Sequence, residues 1–263
     1  MVLFISYVYA ALIGLIIGSF LNVCIYRIPR GESIVTTSSH CTGCGKKLGA
    51  LNLIPVLSYL FQRGRCTGCG EKISPRYMLV EIMTAVLYTG MLYKYGISVE
   101  FFSAVFLSSI LIVVFFIDLE HGIIPDSVVI TAIIGGFVFF VINFFIPSDI
   151  YGDGNWWNPL LGAVSGSGIL LLVSIAGSKL YKSEEVMGGG DIKILFPAGL
   201  FLGWRLMLTS LFLSILAAAA VSVVLMIFKI IDRKATVPFG PFIAIGTVLA
   251  ITFGWQLLGI YFR

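Results

Sequence analysis

The sequence predicts an all-α polytopic membrane protein, a bundle of about eight transmembrane helices with one small soluble unit between the first and second spans. Composition is the first reason. Of 263 residues, 59% are hydrophobic and only 11% charged, with a mean hydropathy of +1.04. Soluble domains carry roughly 25% charged residues, so this chain has too little polar surface to cover a water-soluble globule. The second reason is length: the apolar residues come in blocks near the roughly 20 residues that a membrane helix needs. They run approximately 2–26, 77–95, 99–117, 127–146, 159–180, 191–204, 206–228 and 238–260. No block alternates with a period of two, which excludes the outer-membrane barrel pattern.

The first block, in residues 1–28, lacks a basic leading segment and a small-residue cleavage site, so it reads as a retained span. Residues 29–76 are the only sizeable soluble piece, too short to bury a core without a metal or disulfides. Residues 77–263 supply the remaining spans. Stretches such as Ile130–Phe145 are apolar all round, as expected of helices facing lipid or one another. The sixth block is short and carries Pro197, Gly199 and Gly203, which predicts a kinked or re-entrant span.

Orientation follows from the lysines and arginines. Arg27, Arg30, Lys46, Lys47, Arg63, Arg65, Lys72 and Arg76 lie between the first two blocks. Lys179, Lys182, Lys193, Lys229, Arg233 and Lys234 fall on the same side, which gathers fourteen of the 17 basic residues there. Loop Pro147–Asn158 on the other side has none, and its Trp156–Trp157 pair suits an interfacial anchor. The basic face is therefore expected in the cytoplasm, with both termini outside. The same residues form no arginine stripe interleaved with aromatics, so the expected partner is the lipid bilayer and no nucleic acid.

Within the soluble piece the pentapeptide Cys-Thr-Gly-Cys-Gly occurs twice, at 41–45 and 66–70. Cys41 and Cys44, then Cys66 and Cys69, match the paired-knuckle spacing whose four thiolates complete a tetrahedral structural zinc site. Two disulfides are the competing use of four cysteines, disfavoured in a reducing cytoplasm. Cys24 reads as a small packed residue, and His40 as a solvated loop histidine beside the knuckle.

Two acidic residues stand where apolar blocks meet the cytoplasmic face. Asp118 ends the run Phe116-Ile117-Asp118, and Asp191 follows Gly188-Gly189-Gly190 and precedes Ile192-Lys193. A carboxylate at the edge of an apolar segment is costly unless it is paired or functional. Two carboxylates sharing one site divide into a protonated and an ionised partner, the arrangement of aspartic proteases. Helix capping is the other reading for Asp191, and for Asp126 it is the better one. The glycines 188–190 would let an extended substrate approach, and Lys193 either biases the pair or reaches for lipid headgroups. Glu184 and Glu185 could attract a basic substrate segment, though solvated loop charges explain them as well.

Taken together, these motifs resemble one known family, the type IV prepilin leader peptidases with N-methyltransferase activity. Gly18-Ser19-Phe20-Leu21-Asn22-Val23 with Arg27 and Pro29 is similar to its first-span signature. The cysteine pairs, Asn52 through Leu60, and Ile73-Ser74-Pro75-Arg76-Tyr77 through Glu81 resemble its cytoplasmic domain. Asp118, Gly188-Gly189-Gly190-Asp191 and Val237-Pro238-Phe239-Gly240-Pro241 fall where that family has its peptidase motifs.

The resemblance implies an intramembrane-type aspartyl protease of the bacterial inner membrane, with Asp118 and Asp191 as the catalytic pair. Its substrates would be prepilins and pseudopilins, cut after a glycine that ends a short basic leader, on the cytoplasmic face. The new N-terminal residue would then be methylated from S-adenosylmethionine. No residues for the methyl donor can be named from the sequence, which has no Rossmann fingerprint. A peptidase without methylation is the nearest alternative. A small transporter with a zinc-stabilised loop is a remote one, because its acids would sit mid-span.

Overall fold

A computed structural model describes residues 2–181, 188–232 and 237–261. Among these the regular structure is helical: α1 Val2–Arg27, α2 Leu57–Phe61, α3 Arg76–Tyr95, α4 Val99–His121, α5 Asp126–Phe145, α6 Asn158–Tyr181, α7 Gly189–Ile227 and α8 Gly240–Tyr261. Six of them (α1 and α4 to α8) are long and apolar enough to cross a membrane. The chain divides into two compact units, Met1–Ile97 and Ser98–Arg263.

In the first unit α1 packs along α3, burying Leu21, Ile25, Val80, Met91 and Leu92 between them. Phe4, Leu12, Ile16 and Phe20 of α1 remain exposed, the surface expected to face lipid. Cys24 is buried among these apolar side chains, as read from its position. At the C-terminal end of α1 the Arg27 guanidinium is buried and donates to the carbonyls of Ser33, Thr37 and Ser38 at 3.1, 2.7 and 3.2 Å. A cation there also complements the negative end of the helix dipole. The cysteine segment thus leaves the helix on a fixed path.

In the second unit α4 is deeply buried, its Leu107, Leu111, Val114 and Ile117 all but inaccessible. The 39 residues of α7 would span about 58 Å if straight, nearly twice the roughly 30 Å of a bilayer core. The chain instead breaks at Gly203, where φ 69 and ψ 171 lie outside the helical region and in territory open to glycine. Beyond that break Gly166 of α6 faces Met207, while Gly246 and Gly254 of α8 face Ser214 and Leu206. Residues 204–227 therefore run antiparallel to α8, as a span of their own.

The sixth and seventh apolar blocks are the two arms of α7, so the eight blocks of the sequence all have helical counterparts. Buried Asn158, at the start of α6, stitches the break. It accepts from Trp204 N at 3.0 Å and donates to Tyr151 O at 3.1 Å and Asp153 Oδ1 at 2.8 Å.

The arm before the break counts only about 15 residues, roughly 22 Å of helix. With Gly203 fixed beside the 149–158 loop, this arm is too short to cross a full bilayer core. Its opposite end carries Asp191.

Candidate active site and metal centre

Asp118 occupies the last turn of α4, before the helix stops at Gly122 in the left-handed conformation. It is 5% exposed. Its carboxylate Oδ2 accepts the backbone N–H of Gly240 at 2.8 Å. Gly240 opens α8, and the first N–H groups of a helix have no partner within it. The positive end of that helix thus bears on Asp118. A Cβ at position 240 would fall 2.7 Å from Asp118 Oδ2 and 3.0 Å from its Cβ and Cγ. Only glycine permits this approach.

Asp191 is the third residue of α7 and is 8% exposed. Gly188 is the residue before the helix, in extended conformation, and both it and Gly189 are exposed. Gly190 lies against Ile124, where an added Cβ would meet the Ile124 Cβ at 2.9 Å. Ile124 belongs to the short connection from α4 to α5, three residues after His121. That contact holds the start of α7 beside the end of α4, and the two carboxylates lie close enough to couple electrostatically.

Lys193 donates to Asp126 Oδ1 at 2.7 Å, a second tie between α7 and the start of α5. Asp126 does not cap α5, as the sequence suggested; Pro125 holds the cap position and Asp126 is the first helical residue. Glu184 and Glu185 lie outside the described residues.

The cysteines form a separate centre in the first unit. All four are free thiols, and their sulfurs lie within 4.8 Å of one another. Cys41 Sγ and Cys69 Sγ are 3.9 Å apart, Cys44 Sγ and Cys66 Sγ 4.0 Å. Those separations are near the ~3.8 Å edge of a tetrahedron with metal–sulfur bonds of about 2.3 Å, and far beyond a disulfide.

The repeated pentapeptide folds the same way twice. Gly45 N reaches Cys41 O and Gly70 N reaches Cys66 O, each at 2.9 Å, and the bridges His40–Lys47 and Arg65–Lys72 close each knuckle. Backbone N–H groups of Cys69 and then Gly68 draw the Cys66 thiol down to about 6, so it offers a thiolate at neutral pH. The residues thus fit a metal. His40 is exposed and turns its Nδ1 to Ser38 O at 3.0 Å, away from the cluster.

Comparison with known proteins places this arrangement. Residues 12–95 match the model for the bacterial peptidase A24 N-terminal domain, and residues 105–223 that for the type IV leader peptidase family. A prepilin leader peptidase/N-methyltransferase of Bacillus subtilis (strain 168) is 33% identical, covering 95% of each chain. The chain belongs to the type IV leader peptidase family. Proteins of the same name from Pseudomonas putida and Aeromonas hydrophila are 33% and 32% identical, over 94% and 92% of this chain and 91% and 89% of theirs. No solved structure matches. Both aspartates fall inside the leader-peptidase match and all four cysteines inside the N-terminal-domain match.

Sequence reasoning placed Gly240 in a motif but gave it no role. The available signal was Pro241, a residue favoured in the first turn of a helix, which marks the N–H before it as free to donate.

Proposed function

We propose that this protein removes the short basic leader of prepilins and pseudopilins, cutting after a glycine, and then methylates the new N-terminus. The observation that carries the reading is the pair of buried carboxylates, Asp118 on α4 and Asp191 on α7, held at one end of the second unit. In such a pair one carboxyl holds a proton and the other is ionised. The ionised member takes a proton from water as the water attacks the scissile carbonyl. The protonated member donates to that carbonyl oxygen and stabilises the developing charge, and as the C–N bond then breaks the departing amine takes the proton that the first carboxylate removed from water. The Gly240 N–H on Asp118 Oδ2 favours the charged form of Asp118, so Asp118 serves as the ionised base and Asp191 as the acid.

Exposed Gly188 and Gly189 leave the approach to Asp191 free of side chains, which suits an extended substrate segment. The positive-inside distribution supports a cytoplasmic position for both centres in the inner membrane. The four cysteines would hold zinc, which supplies a structural cross-link of the two knuckles and no chemistry. S-adenosylmethionine would supply the methyl group.

Mass analysis of a purified prepilin incubated with the protein, with and without S-adenosylmethionine, tests both halves. The reading expects loss of the leader in both cases and one added methyl only with the donor. An intact prepilin refutes the reading, and cleavage without methylation refutes its second half.

A further inference from the structure

The methylation half has no residues assigned to it, and the first unit contains a polar cluster that the metal centre does not use. Gly18 of α1 sits against the Cα of Glu81 on α3. One turn on, Asn22 donates to the carbonyl of Tyr77, one turn before Glu81, at 2.9 Å. The two helices are therefore antiparallel, and Asn22 and Glu81 lie about one helical turn apart. Both are buried, at 1% and 7% exposure.

Asn22 Nδ2 also donates to Gly18 O at 3.2 Å. Both of its partners are carbonyls, so the amide cannot be turned over. Its Oδ1 is left buried with no donor among the described residues, a costly state for a native polar atom.

Glu81 Oε2 accepts the N–H of Val56 at 2.7 Å, and the Ser19 hydroxyl is within bonding reach of the same carboxylate. Both donors are neutral. Val56 itself has φ 60 and ψ −52, with Leu57 N bonded to Pro55 O at 2.6 Å. This is a γ-turn of the rare positive-φ kind, strained for a β-branched residue. Such strain persists where surrounding contacts over-determine it, often at ligand sites.

A buried carboxylate and a buried amide oxygen without a donor, about one helical turn apart, complement a cation with several N–H groups. A primary ammonium is that group. Methylation of a protein N-terminus involves two: the amino-acid end of the methyl donor and the new amino terminus. We propose that Glu81 and Asn22, with Ser19 beside them, bind the ammonium of the methyl donor's amino-acid end. The site rests on the methylation reading above. It lies within residues 12–95, apart from the leader-peptidase match that holds both aspartates.

Calorimetry on the full chain in nanodiscs with S-adenosylhomocysteine, which carries the same ammonium, tests the site. Glu81→Gln keeps an oxygen for the Val56 N–H and removes only the charge. Its affinity is expected to fall about tenfold or more, roughly 1.4 kcal/mol, with metal content and melting temperature as in wild type. A change under about twofold overturns the proposal.

A second titration uses a peptide with the processed pilin N-terminus and its N-acetylated form. If Glu81→Gln weakens only the free-amine peptide, the ammonium belongs to the pilin and the assignment to the donor is wrong. Should Glu81→Gln lose its metal, Asn22→Leu carries the test, with the same loss expected and wild-type affinity overturning the proposal. Wild type that binds no S-adenosylhomocysteine removes the methylation reading itself, whereas binding indifferent to both variants removes the site alone.

Discussion

Replacing Gly240 with alanine probes the peptidase centre without touching either carboxylate. The added methyl would stand 2.7 Å from Asp118 Oδ2 and 3.0 Å from its Cβ and Cγ, well inside van der Waals contact. Either α8 backs away and the 2.8 Å N–H bond to Asp118 lengthens, or the carboxylate turns out of its place. Losing a hydrogen bond to a charged group costs about 1.5–3 kcal/mol, and relieving an overpacked contact about 1–3 kcal/mol more.

If half of a combined ~3–5 kcal/mol falls on the reaction barrier, cleavage slows roughly tenfold to a hundredfold. Gly259→Ala, on the same helix with nothing within 4 Å of its added Cβ, is the control and should cleave normally. The assay is initial-rate cleavage of a purified prepilin, with melting temperatures recorded for both variants. A Gly240→Ala protein that folds and cuts at the wild-type rate would refute the view that this amide sets the state of Asp118.

Three further outcomes follow from the same geometry. Metal bound by the cysteines should be retained at neutral pH and released on acidification, because protons then compete with it for the four thiolates. Metal analysis after dialysis across pH 4–8 checks this, and a metal content that does not fall toward the acid end would contradict it. Lys193→Ala should lower cleavage less than about fivefold, since its bond to Asp126 joins side chains 57% and 69% exposed and such pairs contribute at most about 1 kcal/mol. A hundredfold loss would instead give Lys193 a place in the chemistry. Asn158→Ala strips three bonds, one to the α7 break and two to the loop beside it, and should destabilise the fold by about 2–4 kcal/mol, seen as a lower melting temperature; an unchanged one would show that the break is held by other contacts.

Much of this was legible in the sequence because membrane physics writes itself locally. A run of apolar residues has no other use than burial or lipid, so the long helices could be placed, six of them long and apolar enough to cross a membrane. Asp118 stood out because it interrupts such a run. The duplicated Cys-Thr-Gly-Cys-Gly carries its geometry in its own spacing, and both copies fold alike.

Relations across long stretches of chain were not legible. The Gly240 amide reaches Asp118 over 122 residues, and Lys193 finds Asp126 over 67. Asp126 looked like a cap because it follows a proline, whereas its partner is supplied by another helix. The Val56 amide that Glu81 accepts could not be foreseen, because no local rule puts a valine at positive φ. The shortness of the arm before Gly203 was visible as a short block.

The most direct test of the paired-carboxylate centre is prepilin cleavage by Asp118→Asn and Asp191→Asn, each verified by melting temperature and metal content. Both variants should fold, keep their metal and leave the leader attached. If either still cuts at the wild-type rate, that aspartate is a structural residue and the two-carboxylate mechanism is wrong.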